Sequence, residues 1–597
     1  MSAEEVYSLP TLYLTEQLTA NTAPVTTFAM PISNLEFEPR VDLQSRNMGE
    51  AQADVSIRGG IFENTGFRIG AATLLDPQTG HYFAEIPIAP EMLERPQILT
   101  GTENAIYGFN STVGTISYSW TPIRDQGSIT LGGGDHDLNF QRIYQGITHQ
   151  LKDSDWNLGV EIEASRSESD GTIRFGDHDF SRATGRIQLN GPNSQTDFFA
   201  GYQSKFFGLF GLYTGSAFTA FDPFETENLK TRLFVLNHLQ TYDTESYVEI
   251  TGYARRHSDH YIFNRFQPNN AFIHETKAYA LAYAGSHALN DGFYLNYAGQ
   301  ITADEIESTN LENSFTSRTY VKVSVVPEYR IHIQDTQTIG AFAGLSFDDT
   351  NRNDSAFSPI LKLEWAQKSK DYQSEKLYIS YTETSQVAGY TAIGGGTSGL
   401  FASDPTLDRE TSQNLEIGGQ ISRANWSLEG AIFYRWDDDL VDWTFENGSP
   451  NARSANNVDI ETFGAEIIGT IRIRDLETVA SYTYLEKKED YGDADIVGSF
   501  YALNFPEHRI TLGLIWSPFD TIKIRLDNEW RSQEDNPLRN SEDDALFTHA
   551  SISFFPRQIK GLEIFGAVDN AWDDGFEEVP GTPGRGDQYS GGVTYRW

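Results

Sequence analysis

The chain has 597 residues and a formal net charge of −40, from 84 acidic against 44 basic side chains. So acidic a surface repels a polyanion, which excludes nucleic acid as a partner. The absence of cysteine excludes disulfides, thiolate metal sites and a cysteine nucleophile. No stretch approaches the ~18 consecutive apolar residues of a membrane helix, yet 29 Tyr, 38 Phe and 51 Gly accompany only 39% hydrophobic residues. That balance suits many two-faced strands.

Residues 1–20 open with MSAEEVYSLP, which lacks the basic start and apolar segment of a secretory signal. For an exported protein, the expectation is a start at or near the mature end. Thr11, Leu12, Tyr13, Leu14 and Thr15 then form a short extended segment of the kind that can add as a strand to a partner's sheet. Residues 21–121 have a mixed texture, with VSIRGG (55–60), DPQTGH (76–81), PIAPEMLERPQIL (87–99) and NAIYGFNSTVGTISY (104–118).

From about residue 125 the dominant period is two. WNLGVEIEA puts Trp156, Leu158, Val160, Ile162 and Ala164 on one face; RITLGLIW does the same with Ile510, Leu512, Leu514 and Trp516. LEIFGAVDN offers Leu562, Ile564, Gly566 and Val568, and the chain finishes with Tyr589, Val593, Tyr595 and Trp597 alternating with polar or small residues. Alternation of this kind marks strands with one apolar and one polar face. The intervening segments are rich in Asp, Asn, Gly and Ser, and no helix-period stretch interrupts the series, so residues 122–597 read as one all-β unit. A propeller or solenoid would show repeats of fixed length. Irregular spacing and aromatic strand ends fit instead a closed barrel that crosses a membrane with every backbone group paired. At ~10 membrane residues per strand, 22 strands leave on the order of 12 residues per connection.

The segments RVDLQSR (40–46) and VSIRGG through NAIYGFNSTVGTISY resemble the plug domain of TonB-dependent outer-membrane receptors, and the barrel stretches DHDFSR, YRWDDDLVDW and FPEHRITLGL resemble the same family. The resemblance implies an all-β membrane protein of the bacterial outer membrane: a 22-stranded antiparallel barrel with an N-terminal α+β plug (21–121) in its lumen. It implies a monomeric importer of a ferric siderophore, cobalamin or similar scarce complex, driven by the periplasmic domain of TonB through a box at Thr11–Thr15. It implies neither enzymatic activity nor a resident cofactor. The C-terminal row of Tyr589, Val593, Tyr595 and Trp597 is expected to face lipid and to be read by the barrel-assembly machinery. The competing functions are a plugged barrel used for binding or adhesion, and a passive channel.

Two departures from the family pattern affect the plug. The usual Ile-Asp-Gly turn is replaced by Gly70 and Ala71, and the second plug arginine by Thr100. In the family such arginines pair with barrel glutamates, so Arg58 is expected to make the main remaining lock, with fewer barrel glutamates facing the plug. The apical loops give the ligand candidates Phe62, Glu63, Asn64, Gln78, His81, Tyr82 and Phe83. Tyr390 joins them from the glycine-rich stretch 389–401, read as an outer loop. For Phe62 and Phe83, packing inside the plug is the competing expectation. Asp170, Asp177 and Asp179 are weak candidates for loop-bound Ca²⁺ through oxygen ligands, although no ordered ligand spacing supports them. His257 and His260 would point to opposite strand faces and make no metal site.

Overall fold

The computed structural model describes residues 30–45, 53–213, 224–269, 271–334, 336–369, 373–395, 401–447 and 453–597. The candidate TonB box Thr11–Thr15 lies outside them. Among the described residues, twenty-two long strands pair antiparallel, each with the next in sequence, from β7 (Gln126–Gly134) round to Gln588–Arg596. That last strand pairs back onto β7, with Ser590 opposite Gly134 and Arg596 opposite Ser128. Two short strands, Phe401–Ala402 and Ile496–Ser499, add to the rim without entering the ring.

Period-two patterning becomes a two-faced wall. Along His178–Gly191, the side chains of His178, Phe180, Arg182, Thr184, Arg186 and Gln188 are buried, whereas Ile187 on the opposite face is 48% exposed. Polar residues inside and apolar residues outside invert the ordinary globular arrangement, as lipid around the wall requires. Charges enclosed by the wall are paired: Arg186 lies 2.6 Å from Glu161 and 3.0 Å from Asp197, and Arg182 lies 2.8 Å from Glu163. Connections are short at one end, such as 192–193 and 474–475, and long at the other, such as 387–409 and 570–587. This asymmetry is that of a periplasmic and an extracellular rim.

The lumen holds the preceding segment. A hairpin pairs β1 (Val41–Ser45) with β2 (Ala53–Ile57). A separate sheet of β3 (Thr65–Ile69), β4 (Ala72–Leu74), β5 (Gln97–Leu99) and β6 (Gly114–Tyr118) runs in the order β4-β3-β6-β5, with β3 and β6 parallel. Helix α1 (Gly101–Tyr107) links β5 to β6. Ile57, Phe67, Ile69, Ile86, Ile98 and Ile116 form the apolar centre of this domain, each at most 2% exposed. The turn at Gly70 explains one departure from the expected sequence. Its φ of +58° is left-handed, and a Cβ there would lie 2.2 Å from Asn237 Oδ1 of the wall. The next amide, of Ala71, donates to Thr251 Oγ1 at 2.7 Å. This variant turn therefore sits directly on the barrel.

The last strand carries its aromatics outward, with Tyr589 50%, Tyr595 41% and Trp597 52% exposed. Trp597 lies over Gly127, where a Cβ would come within 2.4 Å of the indole, and its Nε1 donates to Gln145 at 2.9 Å. Val593 faces outward beside them.

Candidate ligand cavity and plug lock

The lock is built from the turn that ends β2. Arg58 has a left-handed φ of +48°, a conformation rarely adopted by a residue with a side chain and held only when its surroundings fix it. Here they do. Its guanidinium donates to Glu416 at 2.8 Å and to Glu466 at 2.5 and 3.1 Å, and it stands over the Phe433 ring at 4.7 Å. Its carbonyl accepts from Arg435 at 3.1 Å. Burial opposes the Arg58 charge, but Glu416 and Glu466 outweigh it and hold the group firmly protonated.

A second arginine is also present, in a place the motif pattern does not indicate. Arg40, just before β1, donates to Glu466 at 3.3 Å and pairs with Glu429. Three barrel glutamates therefore pair with Arg58 and Arg40, not the reduced set that Thr100 suggests. Thr100 borders a small void of about 20 Å³ that also touches Glu416 and Glu429. Arg40 reaches one of those glutamates from another direction. Further ties include Lys205 to Glu85 at 3.0 Å, Arg531 to Asp42 at 2.7 Å, and Gln300 exchanging two 2.9 Å bonds with the Thr73 backbone.

Above the plug, at the long-loop rim, lies a cavity of about 220 Å³. Its floor is Gln78, His81 and Tyr82 of the plug; Tyr261, Trp443 and Tyr501 stand in its sides. His81 pairs through Nδ1 with Asp54 at 2.7 Å and stacks on Phe62 at 4.1 Å. Tyr82 donates to Glu227 at 2.5 Å, and burial, with Asp259 and Glu227 adding to it, holds its phenol well above its usual range. Trp443 donates to Glu63 at 3.2 Å. Burial pushes the Glu63 carboxyl up to about 7 against that bond, with Asp54 and Asp442 adding to the rise. Aromatic walls with a few directed polar groups make a recognition cavity. Among the described residues, no three His, Asp or Glu side chains converge as a metal site.

A family model for the TonB dependent receptor-like β-barrel matches residues 100–571. The chain belongs to the TonB-dependent receptor family. Solved receptors share its fold. The siderophore receptor PirA from Pseudomonas aeruginosa superposes with a TM-score of 0.66 at 15% identity, covering 97% of this chain and 100% of that one. The FrpB iron transporter from Neisseria meningitidis gives 0.72 at 11%, covering 97% and 99%. The copper transporter OprC gives 0.74 at 12%, covering 97% and 96%. No curated protein matches the sequence. As a member of this family the receptor is an outer-membrane transport protein and not an enzyme.

The receptor distributes the sequence candidates unevenly. Gln78, His81 and Tyr82 border the cavity. Phe62 backs His81 and also meets Tyr501 edge-on at 4.7 Å. Glu63 anchors Trp443, while Asn64 is wholly buried and donates to Glu410 at 3.0 Å. Phe83 turns away into the plug's apolar centre. Tyr390 is not an exposed loop contact: it is fully buried, donates to Asp304 at 2.9 Å and lies under Arg318. Its segment is pinned to the plug apex, with the amides of Tyr390 and Thr391 donating to the Pro77 and Gln78 carbonyls at 2.8 and 2.9 Å. The Ca²⁺ candidates do not cluster. Asp177 pairs with Arg265 at 2.7 Å, Asp179 faces Arg166 at 3.4 Å, and the Asp170 amide donates to the His136 carbonyl. His257 is buried in the lumen and His260 faces the other way.

Sequence reasoning missed Arg40, Glu227, Asp259 and the contact of Trp443 with the plug. A bulge between Asp437 and Leu440, with Asp439 at φ +57°, breaks that strand's alternation just before Trp443 and carries the register of Asp437 on to Leu440, Asp442 and Thr444. For Asp259 a signal existed: it lies two residues from His257 and so shares its lumen face.

Proposed function

We propose that this receptor captures a scarce, compact nutrient complex in the cavity over the plug and imports it when TonB pulls on the plug from the periplasm. The observation that supports this best is the shared ownership of the cavity. Its floor belongs to the plug and its walls to the barrel, so any movement of the plug dismantles the binding surface. Touching the ligand with both parts couples occupancy to plug position, which is what an energised release step requires. Structural relatives described as siderophore receptors and as iron and copper transporters support a metal complex as cargo. The segment Thr11–Thr15 supplies the strand that TonB would take up, and lipid surrounds the wall.

A binding or adhesion barrel needs no releasable floor. The loss of an arginine at Thr100, which would favour that alternative, is offset by Arg40. The test is accumulation of radiolabelled iron, copper and cobalt complexes by cells expressing the receptor, with and without functional TonB. TonB-dependent uptake of one complex is expected. Binding without accumulation for every complex that binds would overturn the import reading.

A further inference from the structure

A groove of about 760 Å³ lies on the lipid face of the wall, across the strands from Asn157–Ser169 to Ala271–Asn290. Phe198, Phe234 and Leu236 flank it, each between 47% and 57% exposed. Its floor drops at Gly185 and Gly252, where an added Cβ would meet nothing nearer than 3.8 and 3.6 Å. Nearer the long-loop rim the same face changes character. Arg232 lies two residues rimward of Phe234 along its strand, and Arg256 two residues rimward of Ala254. Register sets Arg232 directly opposite Arg256, and Arg256 directly opposite Lys277. Lys230 follows on the same face, closer still to the rim.

Like charges directly opposite one another across a sheet repel, so this row calls for anions. The wall supplies part of them: Arg256 pairs with Glu275, and Lys277 lies 2.5 Å from Glu305 and 3.3 Å from Glu307. Arg232 and Lys230 form no ion pair among the described residues. Both are exposed, and Arg232 stands over the Tyr202 ring at 6.0 Å. Such a cluster is unusual in a chain of formal net charge −40; further round the ring, outward positions in the rim half of their strands carry acids such as Glu461 and Glu486. Tyr202, opposite Arg232, and Tyr279, two residues from Lys277, are exposed aromatics of the kind that mark a membrane interface. The row therefore lies at head-group level, with the groove beneath it among the acyl chains.

We propose that this strip of wall is the seat of one phosphate-bearing lipid of the outer leaflet. Its phosphate lies on Lys230, Arg232 and Arg256, and an acyl chain runs down the groove past Phe234 and Leu236. The order of the parts fits that occupant. Charge stands towards the rim and the apolar floor towards the membrane centre, about 7 Å apart along the strand. Guanidinium groups bind phosphate through paired N–H donors, and basic sites beside membrane spans take anionic head groups. A zwitterionic lipid lacks the net charge to offset Lys230 and Arg232.

The test uses the purified full chain in nonionic detergent, titrated with dihexanoyl phosphatidic acid and followed by native mass spectrometry. Dihexanoyl phosphatidylcholine and inorganic phosphate are the two comparisons. Saturable binding of one phosphatidic acid is expected, about tenfold or more tighter than either comparison. K230Q/R232Q should weaken it about tenfold by removing the charge-assisted contacts, and G252L about fivefold by filling the groove floor. Heat-modifiable migration establishes that each variant barrel is folded; if G252L is not, A254L fills the same floor. No saturable binding to the native receptor would overturn the proposal. So would equal binding of phosphatidylcholine, which marks an apolar groove only, or of inorganic phosphate, which marks a charged patch only. Undiminished binding to either folded variant would overturn it as well. The seat lies on the far side of the wall from the cavity over the plug, so none of these failures touches TonB-dependent accumulation.

Discussion

In the wall, each of the twenty-two strands is bonded to two neighbours, and runs such as His178–Gly191 against Ser194–Gly208 pair without interruption along their length. In the plug, strands are three to five residues long, and much of the domain is held by side chains reaching across to the barrel: Arg58, Arg40, Asp42, Glu85 and the Gly70 turn. The wall is therefore stabilised by a repetitive backbone ladder and the plug by a small number of individually placed contacts. A ladder fails only as a whole. A set of discrete contacts can be undone one at a time, and a domain that must move in service is better attached that way.

The largest effect should come from the wall's single seam. Deleting Trp597 removes the indole over Gly127 and the bond to Gln145, so the yield of heat-modifiable barrel in membranes should fall severalfold. Removing the equally exposed Trp516 should cost much less. Equal yields would mean that the seam has no special role and that the ladder is indifferent to its ends.

Next in size, Leu14→Pro removes a backbone donor from the candidate TonB box and should abolish accumulation of the cargo while leaving binding to whole cells intact. Retained accumulation would show that the plug is not worked from that segment.

The lock comes third. Arg58→Ala takes the arginine from buried Glu416, at a cost of about 3–5 kcal/mol for a broken buried pair, and Arg40→Ala takes it from the less buried Glu429. Each should loosen the plug and raise the permeability of cells to large antibiotics. Because Glu466 keeps one arginine in each single variant and loses both in the double, the double variant should lose more than the sum of the two. Full additivity would argue that the two contacts are independent.

The smallest expected effect is a pH dependence. The Glu63 carboxyl titrates near 7 in the folded protein but near 4.3 in an unfolded chain. Folding therefore favours its protonated form. Between those values, rising pH deprotonates the unfolded chain first, and plug stability declines until about pH 7 and then levels off. Glu63→Gln should remove that decline, so its protection of the plug from protease relative to the native receptor should be better at pH 8 than at pH 5. An unchanged ratio would place Glu63 in contact with solvent.

The same contrast governs what could be read from the sequence. The wall was legible because its constraint is periodic: Ile187, Leu236 and Ile510 fall on the lipid face by parity alone. The plug's place in the lumen came from short motifs, and its apex loops indicated Gln78, His81 and Tyr82 as cavity residues. What could not be read were contacts created by closure. Glu429 meets Arg40 across 389 residues of chain, and neither position carries a local signature of the other. Trp443 reaches Glu63 of the plug from beyond a bulge that the sequence around Asp438 and Asp439 does not announce. Tyr390 reads as a mobile contact because glycine-rich stretches usually are. Here two backbone bonds to Pro77 and Gln78 fix it to the plug instead.

The pairing of β7 with Gln588–Arg596 also orders events in time. Thr130 and Thr594 touch although 464 residues separate them along the chain. The free-energy cost of so long a closure grows only logarithmically with length, so the burden falls on waiting. Until the final strand arrives, β7 presents a bare hydrogen-bonding edge ending in Gly132, Gly133 and Gly134, with no side chains to discourage a stranger from pairing there. The nascent ring is most open to mispairing at the barrel strand synthesised first.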